Sequence, residues 1–176
     1  LPEHYWSGVF QHGGGEHPLD PDTQQGIADE ICLSVKEGMA LKQKKEEQWK
    51  GEGEDVGSEE ERDTSNVRCA MAVLGPAGSG KSTTVQAAVR TAIAHDARVL
   101  LVAPTGKLAA SLREKFPDQD VDTIHGAFQL FKRLEDTLEL MWPYDLVVVE
   151  EVGQLSRTTF ERLIQLWQAT ERTTTL

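Results

Sequence analysis

The chain has 176 residues, with 29 acidic and 18 basic side chains and a formal net charge of -11. A chain of this length can bury about 70% of its unfolded surface, which is enough for one domain with a substantial core. No apolar run approaches the roughly 18 residues that span a bilayer, and the first residues lack the basic and apolar regions of a signal peptide. These features exclude a membrane-spanning protein, and at face value the acidity argues against a nucleic-acid partner.

The chain has two cysteines, Cys32 and Cys69. Two thiols so far apart in the sequence cannot build a disulfide framework or, alone, a zinc site. We therefore expect both to be buried apolar thiols of a protein in a reducing, intracellular compartment.

The acidity is concentrated in the first third of the chain. Residues 1–66 carry 16 acidic and 6 basic side chains, whereas residues 67–176 carry 13 and 12 and are nearly neutral. The stretch from Glu46 to Asp63 has almost no apolar residues, so it cannot offset the entropy that ordering would cost. We predict a loop-rich N-terminal segment over 1–66, in which one helix at about 21–41 docks on the following domain and an acidic insertion over about 43–66 is disordered.

From Val67 onward, apolar runs typical of buried strands alternate with stretches of helical periodicity. The strands are predicted at 69–74, 98–103 and 144–149, with the start of another at 173–176. The helices are predicted at 82–94, 107–116, about 127–134 and 159–169. This alternation indicates an α/β domain over 67–176, with a parallel sheet and helices on both faces.

Residues 75–82 match the phosphate-loop pattern G-x-x-x-x-G-K-[ST] in full and lie between a predicted strand and a predicted helix. Glycines let successive backbone N–H groups turn toward phosphates, Lys81 adds a positive charge, and the Ser82 hydroxyl can bind Mg²⁺. A glycine-rich turn without a ligand is the alternative. The predicted ATP-binding residues of this region are Gly75, Pro76, Ala77, Gly78, Ser79, Gly80, Lys81, Ser82 and Thr83.

An acidic pair, Glu150 and Glu151, closes the apolar strand predicted at 144–149. In a P-loop enzyme the first carboxylate holds Mg²⁺, and the second orients and deprotonates the attacking water. The usual residue at the first position is Asp, and the extra methylene of Glu150 displaces its carboxylate by about 1.5 Å. Glu150 either reaches the metal through a shifted water or leaves hydrolysis impaired. A solvated acidic strand end is the alternative for the pair.

Two segments between these motifs indicate the class of enzyme: 103–110, which reads Ala-Pro-Thr-Gly-Lys-Leu-Ala-Ala, and 123–126, which reads Thr-Ile-His-Gly. With the phosphate loop before them and Val-Val-Val-Glu-Glu after them, the chain resembles superfamily 1 DNA helicases of the RecD and Pif type over about 67–176. The base-reading motif Asn-Lys-x-Asp of GTPases is absent from the sequence. A small-molecule kinase would give no reason for the Pro-Thr-Gly-Lys turn.

The resemblance implies a RecA-like domain that couples ATP hydrolysis, with Lys81 and Glu151 as catalytic residues, to 5′-to-3′ movement along single-stranded or forked DNA. It also implies that Gln24, or its neighbour Gln25, reads the adenine, and that DNA contacts involve Pro104, Thr105, Gly106, Lys107 and His125. A solvated lysine at a helix start, a structural histidine and an ordinary polar helix start are the alternatives for Lys107, His125 and Gln24.

The same resemblance implies a second RecA-like domain, which supplies arginine fingers worth about 10³–10⁵ in hydrolysis rate. We expect the 176-residue chain alone to bind ATP and Mg²⁺ weakly, to hydrolyse ATP very slowly and to unwind nothing. Genome maintenance in the nucleus is expected (repair, recombination or telomere upkeep), with the mitochondrion as the alternative location. The competing hypotheses are a nucleotide-binding module or pseudoenzyme and, third, a P-loop kinase.

Overall fold

The computed structural model describes residues 8–11, 21–51, 70–74, 80–171 and 173–176, and for 8–11 and 21–23 it describes the backbone alone. The predictions for Cys69, for 52–66 of the acidic insertion and for 75–79 of the phosphate loop lie outside these residues. The chain divides into two compact units, Leu1–His95 and Asp96–Leu176. The sequence predicts the boundary between its two segments at Val67, and that boundary stays a prediction. None of the helices in the described ranges is long and apolar enough to cross a bilayer.

The described residues of the first unit form two strands and two helices. Strands β1 (Gly8–Gln11) and β2 (Met71–Leu74) run parallel. Helix α1 (Pro21–Trp49) packs against helix α2 (Lys81–Ala94), which agrees with the predicted docking of the N-terminal helix. The buried side chains of the two helices include Ile27, Ala28, Ile31, Cys32, Val35, Ala88, Val89 and Ala92.

Two features of this unit correct the sequence analysis. Helix α1 continues to Trp49, so residues 43–49 are helical rather than part of a disordered insertion. Lysine, glutamine and glutamate in this stretch are good helix formers, and Gln43 donates a hydrogen bond to Glu47 one turn later at 3.1 Å. Strand β1 lies in a region that was expected to be a loop. The sequence did not indicate it, because four residues are too few to show the two-residue period of a strand.

The second unit contains a parallel sheet whose strand order is β4-β3-β5. The central strand β3 (Val99–Ala103) is buried along its whole length, and it pairs with β4 (Asp120–Thr123) and β5 (Leu146–Val149). Beyond β5, Thr175 forms a parallel bridge with Leu146, which agrees with the strand start predicted at 173–176. The predicted α/β architecture is therefore confirmed, with helices flanking the parallel sheet.

The helices of this unit are α3 (Gly106–Lys115), α4 (Ile124–Phe128), α5 (Leu134–Met141) and α6 (Arg157–Ala169), with a 3₁₀ turn at Val152–Gln154. The single helix predicted at about 127–134 is wrong. Its place is taken by α4, a loop and α5, since Gln129 adopts a left-handed conformation with φ of 47° that ends α4. Strand β4 was not predicted either, because Asp-Val-Asp-Thr has a polar residue at three of its four positions.

Candidate functional site

The start of α2 is the part of the phosphate loop that the structure describes. Gly80 precedes the helix with φ of 88°, a left-handed conformation that favours glycine, and its position provides no side-chain cap. Lys81 opens the helix and is half-buried, while Ser82 and Thr83 are exposed. Thr84 is buried and donates from its N–H and from its hydroxyl to the Gly80 carbonyl, each at 3.0 Å.

This helix start fits a nucleotide phosphate. The first N–H groups of a helix have no intrahelical acceptor, and at α2 no side chain caps them. An exposed Ser82 hydroxyl and the Lys81 ammonium adjoin these donors in sequence, and this is the donor set that binds phosphate and Mg²⁺ in phosphate loops. The predicted roles of Gly75–Ser79 lie outside the described residues.

Gln24 and Gln25 lie in the first turns of α1, which packs against α2. Gln25 is exposed, and its side-chain amide donates to Asp29 at 2.7 Å within the same helix. Gln24 is half-buried. Since the Gln25 amide is engaged along the helix surface, Gln24 remains the better candidate for reading the adenine.

In the second unit, the turn after β3 is open to solvent. Thr105 caps α3, its hydroxyl accepting from the Leu108 N–H at 3.3 Å. Thr105, Gly106 and Lys107 are exposed, Pro104 is half-buried, and a side chain at Gly106 would meet no atom within 4 Å. An open, capped helix start with a lysine can receive a phosphate group of a nucleic acid.

The acidic pair leaves the sheet beside this turn. The Glu150 N–H donates to the Val102 carbonyl at 3.0 Å, so the pairing of β5 with β3 continues one residue past Val149. Glu150 is half-buried, whereas Glu151 is exposed and left-handed with φ of 49°. A left-handed glutamate costs roughly 1–2 kcal/mol of backbone strain. The two carboxylates therefore have different environments, as a metal-holding and a water-activating group would need.

His125 lies in the first turn of α4 and is exposed. The helix start is fixed by two hydrogen bonds: Gly126 N–H donates to the Thr123 hydroxyl at 3.0 Å, and Thr123 N–H donates to the Asp122 carboxylate at 2.7 Å. A methyl group at Gly126 would lie 2.6 Å from the same carboxylate. Only glycine at 126 lets Asp122 keep this position.

Arg113, in the last turn of α3, links that helix to the start of α4. Its guanidinium donates to the Val121 carbonyl from Nε at 3.1 Å and from Nη2 at 2.9 Å, and Nη2 lies 3.6 Å from the Asp122 carboxylate. Sequence reasoning did not find Arg113 or Asp122, and it included Thr123 only as part of the segment 123–126. The pair Asp-Thr is a helix-start signature and could have placed α4, whereas the Arg113 contact joins residues eight apart and has no such signal.

Parallel strands end at the same edge of their sheet. The turn at 104–107, the segment 123–125 and the acidic pair 150–151 therefore share the carboxyl edge of the β4-β3-β5 sheet. Lys81 and Ser82 belong to the other unit. In the described ranges no group of three or more His, Cys, Asp or Glu side chains could hold a metal.

A cleft of about 300 Å³ lies beside β4, lined by Asp120, Asp122, Gly126 and Tyr144 among others. The Tyr144 hydroxyl donates to the Asp120 carboxylate at 2.9 Å, and the Arg98 guanidinium lies 4.9 Å from the centre of the Tyr144 ring. Burial, followed by this hydrogen bond, raises the pKa of the Tyr144 phenol. The carboxylates of this lining already have partners: Asp120 accepts from Tyr144, and Asp122 accepts from the Thr123 N–H and lies 3.6 Å from Arg113.

A comparison with protein families matches the model of the AAA domain to residues 62–176. The match spans the phosphate loop, the turn at 104–107, the segment 123–126 and the acidic pair. Neither a search of curated proteins nor a search of solved structures gave a significant match.

Proposed function

Because the chain belongs to the AAA domain family and is a nucleotide-binding P-loop NTPase, we propose that it is a motor domain of an ATP-dependent DNA helicase. The proposed activity is ATP hydrolysis coupled to 5′-to-3′ movement along single-stranded or forked DNA, together with a second RecA-like domain. The proposed setting is genome maintenance in the nucleus. The RecD and Pif type of helicase is the specific class that the motifs favour.

One observation carries this proposal: the backbone of Glu150, the first residue of the acidic pair, is hydrogen-bonded to the strand that leads to the exposed turn. Val102 accepts from the Glu150 N–H at 3.0 Å, and Val102 is only two residues before Pro104. A motor must transmit changes at its nucleotide to its track. A fully buried strand that is bonded to the candidate catalytic pair and leads to the candidate DNA-binding turn supports such transmission.

On this proposal, Lys81 offsets the negative charge of the β- and γ-phosphates, and the N–H groups of the first α2 turn donate to the phosphate oxygens. Ser82 and Glu150 would hold Mg²⁺, which would neutralise charge on the phosphoryl group. Glu151 orients the attacking water and accepts its proton. Gln24 donates to the adenine.

The DNA contacts are proposed at the turn after β3 and at α4. Thr105 and the N–H groups of the first α3 turn donate to one backbone phosphate, and Lys107 adds a charge. His125 lies at the carboxyl edge of the same sheet, where it can contact the bound DNA strand. Contacts of this kind bind phosphate without reading sequence, as a translocating motor requires.

The proposal is tested by titrating the chain with a fluorescent ATP analogue in the presence of Mg²⁺ and, separately, with a labelled oligothymidine. We expect both to bind. Lys81→Ala should weaken nucleotide binding by about 10- to 100-fold, the loss expected for one charge-assisted hydrogen bond. Arg90→Ala, an exposed change on the same helix, is the matched control and should bind like the original chain. Nucleotide binding without any DNA binding would contradict the helicase proposal.

Glu150 favours a second candidate, a nucleotide-binding module with impaired hydrolysis. Its longer side chain stands where the shorter aspartate is usual. Glu150→Asp, made in a chain that also carries the second RecA-like domain, separates the two candidates by single-turnover ATP hydrolysis with DNA present. A rate that rises more than about tenfold supports impaired hydrolysis in the natural chain, since tenfold corresponds to about 1.4 kcal/mol of barrier. An unchanged or lower rate supports the active enzyme.

A further inference from the structure

The loop between α4 and α5 exposes an aromatic side chain. Phe131 is 78% exposed, more than any other large apolar side chain in the described ranges. Its neighbours along the chain are buried: Leu130 is 7% exposed and Phe128 is fully buried. The loop thus anchors itself through these two residues while it presents Phe131 to solvent.

The backbone of this loop is held in place by α6. Arg162 donates from Nη2 to the Lys132 carbonyl at 2.9 Å and from Nε to the Leu130 carbonyl at 3.4 Å, so its guanidinium spans Phe131. The Lys132 N–H also donates to the Gln129 carbonyl at 2.9 Å and closes a turn. Because the backbone is already fixed, a ligand that contacts Phe131 has little loop entropy to overcome.

Two cations follow the aromatic residue directly. Lys132 and Arg133 are both exposed. Arg133 lies 3.9 Å from Glu135, but both side chains are about four-fifths exposed, so this ion pair is weak and can be exchanged for another anion. One exposed ring beside two exposed cations does not form the contiguous apolar patch of a protein interface. It is the combination that binds unpaired nucleotides, in which bases stack on aromatic rings and phosphates meet cations.

We propose that the loop 129–133 is a stacking platform for single-stranded DNA, in which Phe131 stacks on one unpaired base while Lys132 and Arg133 contact the adjoining phosphates. This inference rests on the proposed function and adds to it a base contact, whereas Thr105 and Lys107 are proposed to contact only the backbone. Stacking on a ring is possible only for an unpaired base. The platform would therefore favour single-stranded over duplex DNA.

The test measures binding of the 176-residue chain to a labelled oligothymidine and to an abasic oligonucleotide of the same length, by fluorescence anisotropy. The original chain should bind the oligothymidine more tightly. Phe131→Ala should weaken that binding by roughly 5- to 100-fold and remove the preference over the abasic strand. Phe131→Trp should retain both. Leu33→Ala is the control, because Leu33 is another exposed apolar residue, at 56% exposure on α1; it should bind like the original chain.

The contribution of Lys132 and Arg133 is tested by measuring how DNA affinity depends on salt concentration. The logarithm of the affinity falls as the logarithm of the salt concentration rises. Changing Lys132 and Arg133 together to alanine should make this slope shallower by about 1.4, which is about 0.7 for each lost phosphate contact. If Phe131→Ala binds the oligothymidine as tightly as the original chain does, the platform is overturned while the proposed function stands. A change of oligomeric state by Phe131→Ala without loss of DNA binding overturns it in favour of a protein contact. Absence of any DNA binding by the original chain overturns the platform and the helicase proposal together.

Discussion

The backbone N–H of Glu150 donates a hydrogen bond of 3.0 Å to the carbonyl of Val102. This bond joins the first residue after β5 to the fourth residue of β3. The next residues along β3 are Ala103, which is fully buried, and the exposed turn that begins at Pro104. Any movement of the acidic pair along its strand therefore strains a direct bond to the strand that carries the proposed DNA contact.

In a chain that also carries the second RecA-like domain, Glu151→Gln should lower the rate of ATP hydrolysis by about 10²–10⁴, because an amide cannot accept the proton of the attacking water. Nucleotide affinity should stay close to that of the original chain, since Glu151 is exposed and is not a proposed phosphate contact. Single-turnover phosphate release measures the rate, and titration with a fluorescent analogue measures the affinity.

Glu161→Gln provides the matched control for that change. Glu161 is an exposed glutamate in α6 whose carboxylate accepts from Arg157 at 2.7 Å. This exposed pair contributes little to stability, and its loss should leave hydrolysis unchanged. Equal rates for the Glu151 and Glu161 variants would exclude Glu151 as the base.

Thr105→Ala should do two things at once. It removes the cap of α3, which costs about 0.5–2 kcal/mol of stability, and it removes a proposed phosphate donor. Ser156→Ala is the matched control because Ser156 caps α6 in the same way, accepting from the Thr159 N–H at 3.1 Å. Both variants should melt a few degrees lower, but only Thr105→Ala should bind oligothymidine more weakly. Equal DNA affinity of the two would remove Thr105 from the proposed track.

Gly126→Ala should destabilise the chain by about 1–3 kcal/mol, because the new methyl group would lie 2.6 Å from the Asp122 carboxylate. Gly26→Ala is the control: Gly26 lies in α1, and a methyl group there meets no atom within 4 Å. It should be neutral or stabilising, because alanine favours a helix over glycine by about 1 kcal/mol. Urea unfolding monitored by circular dichroism compares the two. Equal stability would show that Asp122 moves aside without cost.

Tyr144→Phe tests the network beside β4. Burial and the hydrogen bond to Asp120 raise the pKa of the phenol above its ordinary value near 10.0. A raised pKa in the folded state means that the protonated phenol stabilises the fold, so this contribution is present below about pH 10 and is lost as pH rises through the folded-state pKa. The original chain should therefore lose its stability advantage over Tyr144→Phe above pH 10. A difference that grows with pH would contradict this.

The sequence predicted most of the sheet because β3 and β5 are continuous apolar runs, which buried parallel strands require. It did not predict β4, whose Asp120 and Asp122 are held by Tyr144 and Arg113 through contacts between distant residues. The break between α4 and α5 depends on a left-handed Gln129, a residue type that gives no warning of it. Local signals thus found the elements with strong periodicity, and tertiary contacts decided the others.

The same distinction holds for the candidate site. The spacing of Gly80, Lys81 and Ser82 is a local pattern, and the left-handed Gly80 at the start of α2 agrees with it. The bond between Glu150 and Val102 joins residues almost fifty positions apart, and no spacing rule contains it. The anchoring of the Phe131 loop by Arg162 is likewise a contact between distant elements.

We expect nucleotide binding and DNA binding to be coupled within this chain, and reciprocal titrations measure that coupling. The dissociation constant for oligothymidine is measured with and without a non-hydrolysable ATP analogue and Mg²⁺, and that for the analogue is measured with and without oligothymidine. Each ligand should change the affinity of the other by the same factor, roughly 5- to 150-fold. Two ligands that bind with no effect on each other would contradict it.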